Sequence, residues 1–176
     1  MVTSCCLLAQ KREGQGDYTY AAKGTDEEPI QYKGAWVDNQ KHGIGKQMYA
    51  KVGEYYGYWE NGNRHGEGVM TYLNKDVYSG NWANGKKDGQ GTYIFFKTGE
   101  KYVGTFKNGQ LVTGKWLYPN GSYFQGNFGF NQPKGAGSWN FANGNVVQGI
   151  YTQTKRADVE GNEIKLSWRT TSEISN

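Results

Sequence analysis

Along most of this chain, large apolar residues alternate with polar or small ones at a period of two. In "YKGAW", Tyr32, Gly34 and Trp36 stand two apart, so in a strand they share one face while Lys33 and Ala35 take the other. The phrase returns as Tyr55-Gly57-Trp59, Tyr78-Gly80-Trp82, Tyr102-Gly104-Phe106 and Phe124-Gly126-Phe128, with a worn copy from Val147. Its starts are separated by 23, 23, 24, 22 and 23 residues. A fixed period in this range marks a repeat array. No segment carries the i, i+3, i+4 stripe of a helix.

Each unit continues through a turn into a Gly-x-Gly: "HGIG", "HGEG", "DGQG", "KGAG". The fourth unit departs, reading "LVTGKW" with Gly114 alone. "ENGN", "ANGK" and "KNGQ" separate the two halves of units two to four, and Asn-Gly is a strong hairpin signal because both residues tolerate positive φ. The same chemistry is expected between units at Asn120-Gly121 and Asn143-Gly144. Each unit therefore predicts a β-hairpin, and the chain predicts an elongated, single-layer, antiparallel meander, all-β in class.

The organisation follows in three parts. Residues 1–31 hold a degenerate half repeat, "EGQGDYTY", and a polar loop, "AAKGTDEEPI". Thr3 to Leu7 falls in the strand slot before it, as an edge strand or an unstructured end. Residues 32–151 hold five full repeats and a worn sixth strand. Residues 152–176 form a cap or tail, in which "TQTKRADVEGN" reads as a loop and "EIKLSW" as a capping strand.

Composition changes the picture of the core. Leu, Ile, Val and Phe make up only 29 of 176 residues, whereas Phe, Trp and Tyr make up 27. Aromatic rings bury ~150–250 Å² each, so this core must be built from Tyr and Trp. Glycine, at 27 residues, supplies the space: Gly34, Gly57, Gly80, Gly104 and Gly126 are expected to seat neighbouring rings. Tyr49, Tyr72, Tyr93, Trp116 and Trp139 join that face. Tyr56 and Tyr58 have the opposite parity and are candidate partner-binding residues, since exposed tyrosines suit interfaces.

Charge excludes more than it suggests. The net charge is +4 and no basic run exceeds two residues, which argues against a nucleic-acid groove and against the clustered cations of lipid recognition. No stretch reaches the ~18 apolar residues of a membrane helix. "MVTSCCLLAQKR" lacks the features of a signal peptide or an N-myristoylation site. Cys5 and Cys6 are adjacent and build no disulfide framework, which fits a reducing compartment; their palmitoylation stays open. His42 and His65 share one repeat slot, held elsewhere by Asp88, Val112 and Lys134, so turn stabilisation is expected rather than metal ligation. The glycine pairs lack the Lys-Ser/Thr of a phosphate loop. Glu54, Glu60 and Glu67 stand beside no nucleophile. No catalytic residue, metal site or cofactor is expected.

Tyr-x-Gly-x-Trp, a turn and His-Gly-x-Gly at this period resemble the MORN (membrane occupation and recognition nexus) repeat. Within that family, "GTYIFFKTGEKYVGTFKNGQ" and "YFQGNFGFNQPKGAGSW" resemble the group formed by radial spoke head protein 1 and its close paralogues. The resemblance implies a non-enzymatic scaffold in the spoke heads of motile cilia or flagella. It would sit on the axonemal cytoskeleton, beside other radial spoke head proteins and a second copy or a paralogue. Phe106 in a Trp slot and the altered fourth unit depart from the pattern. The alternative is a membrane-junction protein that binds phosphoinositides. A targeting half of an enzyme is disfavoured by the ~25 residues after the array, against a ~50-residue domain floor.

Overall fold

A computed structural model of the protein describes residues 11–20, 30–155 and 164–171. Thirteen strands follow one another: β1 (Gly14–Tyr20), β2 (Ile30–Val37), β3 (Gln40–Tyr49), β4 (Gly53–Glu60), β5 (Asn63–Tyr72), β6 (Val77–Ala83), β7 (Lys86–Ile94), β8 (Lys101–Lys107), β9 (Gln110–Leu117), β10 (Tyr123–Gly129), β11 (Gln132–Asn140), β12 (Val146–Lys155) and β13 (Ile164–Thr170). They form one antiparallel sheet in strict chain order, with no helix among the described residues. At ~4.8 Å between strands, the sheet is roughly 60 Å across its strands.

The hairpin turns repeat one conformation. Asp38-Asn39, Asn61-Gly62, Asn84-Gly85, Asn108-Gly109 and Phe130-Asn131 all place both central residues at positive φ, the primed turn whose twist matches its flanking strands. The joints between units differ from expectation. Asn120 and Asn143 keep negative φ, and only Gly121 and Gly144 are left-handed. Each Asn side chain instead accepts the N–H two residues on, Ser122 and Asn145 respectively. The longer joint needs this local side-chain bond to close.

Inside each hairpin sits a bulge. Gly34 pairs with Gly45 and Ala35 with His42, leaving Gly43 and Ile44 unmatched. In the fourth unit Thr105 pairs with Thr113 and Phe106 with Leu111, so only Val112 is extra. This explains the 22-residue interval: the unit lost one bulge residue, the glycine that turns left-handed at Gly43, Gly66 and Gly135.

Two loop expectations need correction or fall outside. Thr152 to Lys155 belong to β12 and pair with β13, because Tyr151 and Trp168 continue the aromatic row. Thr3 to Leu7, residues 21–29 and 156–163, and Cys5 and Cys6 with them, lie outside the described residues.

Candidate functional site

The sheet has two unlike faces. On the aromatic face, Tyr32, Tyr55, Tyr78 and Phe124 are almost completely buried, followed closely by Trp36, Trp59, Trp82, Phe106 and Phe128. Met70 and Leu111 complete this core; sequence parity alone did not single them out. Each Tyr ring lies across two glycines. A Cβ on Gly45 would stand 2.3 Å from the Tyr32 hydroxyl oxygen, and one on Gly68 an equal distance from that of Tyr55. The hydroxyl then donates to the backbone carbonyl three residues on, Ala35, Tyr58 or Asn81, at 3.0 Å. A buried phenol thus keeps its hydrogen bond.

Units are stitched by rings. Tyr55 meets Trp59 of its own unit at 5.2 Å and Trp82 of the next at 5.2 Å, both nearly perpendicular. Tyr32 and Tyr78 repeat this between Trp36 and Trp59, and between Trp82 and Phe106. Edge-to-face geometry is the preferred arrangement of two quadrupoles. Desolvation in this stack pushes the Tyr55 and Tyr78 phenols up, and that of Tyr102 to about 12.

Gly104 is not a ring seat. Its absent Cβ leaves room for the Thr113 carbonyl and the Gly114 Cα, at 2.2 and 2.6 Å. Tyr102 is only half-buried, and its hydroxyl donates instead to the Asn131 carbonyl at 2.9 Å. The missing bulge residue changes the local backbone, and the ring swings to the next unit's turn.

A row of cations crosses the same face. Arg12, Lys41, Arg64 and Lys87 lie over Trp36, Trp59, Trp82 and Phe106, the aromatic of the following unit, at 4.8, 4.7, 4.4 and 5.7 Å. Burial, then the Arg64 charge, lowers Lys41 to about 8 and also lowers Lys87. The row ends at the fourth unit, where Leu111 takes the paired slot. Sequence reasoning missed this row; the signal was a basic residue four before the second glycine in three successive units. Asp76 was also missed. It is buried and accepts from the Tyr93 hydroxyl, the Phe96 N–H and the Asn74 amide, each at 2.8 Å.

On the opposite face, Tyr56 and Tyr58 are 55% and 49% exposed, as their parity requires. Tyr58 stands opposite Ile44 and Tyr56 opposite Val69. With Val103 they rim a shallow trough of about 620 Å³ whose floor is Gly57, Gly68, Gly80 and Gly91. His42 and His65 line a neighbouring depression, and His65 Nδ1 lies 3.2 Å from the Glu60 carboxylate across its own turn. Among the described residues no three His, Cys, Asp or Glu side chains gather as metal ligands.

Stacked hairpins with one ring-filled face and one open face define a repeat scaffold. The MORN repeat family model matches residues 11–25, 32–51, 55–77, 78–97, 102–123 and 124–146, and the chain belongs to the MORN-repeat family. No curated protein matches the chain.

Proposed function

We propose that this protein is a non-enzymatic scaffold that holds other proteins on the open face of its sheet. The observation that carries this reading is the trough bordered by Ile44, Tyr56, Tyr58 and Val69. Contiguous exposed apolar side chains of this kind mark interaction sites rather than ordinary surface. The glycine floor lets a partner's backbone approach closely. Tyr56→Ala with Tyr58→Ala should leave the fold intact and weaken partner capture.

The finer assignment is a spoke head of a motile axoneme, with other radial spoke head proteins and a second copy or paralogue as neighbours. It is supported by the resemblance of residues 91–110 and 123–139. The test is fractionation of ciliated cells carrying a tagged copy. The protein should stay with the demembranated axoneme, and phosphoinositide liposomes should not retain it at physiological salt. Release with the membrane fraction, together with saturable liposome binding, overturns the scaffold reading in favour of a membrane junction.

A further inference from the structure

The cation row stops beside a cavity. Where the fourth unit is one residue short, a pocket of about 320 Å³ opens on the aromatic face, lined by Lys87, Tyr102, Phe106, Phe130 and Gln132 among others. Its walls are mostly rings. The Lys87 ammonium lies within 6.0 Å of the centres of Tyr72, Tyr78, Tyr93 and Phe106. Among the described residues, no carboxylate lies within ion-pair reach of it. Gln132 lines the pocket, and its Oε1 is buried behind that wall without a hydrogen-bond partner among the described residues. Phe130 holds φ at 55° where Asn61, Asn84 and Asn108 stand in other units. A bulky residue in that region is strained, and such strain gathers at functional positions.

We propose that this pocket receives an acidic side chain of an extended partner segment, with Lys87 as its counter-ion and Phe130 as its rim. A desolvated cation is costly unless paired, and one ammonium in a wall of rings and amides matches a monoanionic carboxylate on a short stem. A phosphate would call for several convergent donors. The peptide backbone brings the second complement, N–H donors for Gln132 Oε1 once that amide turns toward the cavity. The site lies on the face opposite Tyr56 and Tyr58, so it stands apart from the trough. It gives the scaffold a second contact, of defined charge.

The test uses the full chain and a fluorescent (Glu-Ser-Phe)₃ peptide, with (Gln-Ser-Phe)₃ as its uncharged counterpart. Polarisation should show saturable binding of the acidic peptide, at least tenfold tighter than the amide peptide. Lys87→Met should weaken it at least fivefold. Lys115→Met, which removes a cation beside Tyr123 on the other face, should leave it unchanged, as should the double Tyr56/Tyr58 substitution. In the wild-type chain, the ¹³C-dimethyl resonance of Lys87, assigned with Lys87→Arg, should move on titration; this readout survives if Lys87→Met misfolds. Equal binding of the two peptides, an unmoved Lys87 resonance, or no binding at millimolar peptide overturns the proposal. Retention on phosphatidylserine vesicles that Lys87→Met abolishes, without saturable binding of the acidic peptide, assigns the site to lipid and overturns it equally.

Discussion

The indole of Trp59 and the backbone of Gly45 belong to adjacent units, and Trp59 Nε1 donates to the Gly45 carbonyl at 3.1 Å. Trp82 and Gly68 repeat the bond at 3.1 Å. Phe106 holds the next slot and has no such donor. Trp59→Phe therefore makes the second unit resemble the fourth. The expected loss is about 1–2 kcal/mol, one hydrogen bond with its carbonyl left buried, whereas Trp59→Ala should cost ~3–5 kcal/mol. Urea melts of the two variants check the difference.

Gly80→Val should destabilise far more than Lys86→Ala. A Cβ at Gly80 would stand 2.4 Å from the Gly91 Cα and 2.5 Å from the Gln90 carbonyl oxygen, and backbone across a strand pair cannot step aside. Lys86 is exposed at the start of β7. We expect several kcal/mol for the first and within about 0.5 kcal/mol for the second. Equal melting shifts would show that the close approach carries no weight.

Lys75 takes φ 69° in the joint where Gly99, Gly121 and Gly144 take the left-handed conformation elsewhere. Non-glycine residues pay ~1–2 kcal/mol there, partly offset by glycine's greater unfolded freedom. Lys75→Gly should stabilise by about 0.5–1 kcal/mol, read as a higher melting temperature.

Asp76 binds two loop segments through three donors. Asp76→Ala strips the Tyr93 hydroxyl and the Phe96 N–H of their acceptor. A cost of ~2–4 kcal/mol is expected, since hydrogen bonds to charged groups are the stronger kind. Hydrogen exchange at Phe96 should speed up in the variant while exchange in β2 and β3 stays as in the wild type.

The pH profile should have two limbs. Lys41, held near 8 in the folded state against 10.5 ordinarily, binds its proton more weakly folded than unfolded. Between those values the unfolded chain carries more protons, so stability rises with pH. Above about 10 the buried phenols of Tyr55 and Tyr78, shifted upward, resist ionisation that the unfolded chain permits, and stability falls. The melting temperature should therefore rise from pH 8 to a maximum before pH 10, and Lys41→Met should flatten the rising limb. An unchanged limb in that variant would assign the effect elsewhere.

What was legible in the sequence was everything that depends on parity and on turn chemistry. Tyr32, Gly34 and Trp36 share a face because side chains in a strand alternate, and Asn61-Gly62 turns back because both residues accept positive φ. The 23-residue phrase therefore determined the hairpin, the meander and the side on which Tyr56 and Tyr58 emerge. What only the tertiary structure decided depends on contacts between units. Lys87 over Phe106, Tyr102 bonded to Asn131, and the pocket beside the shortened fourth unit all join residues that local pattern leaves unrelated. The physical reason is the bulge. One residue more or fewer inside a hairpin shifts which side chains stand opposite one another, and that offset is settled by packing against the neighbouring unit rather than by the phrase itself.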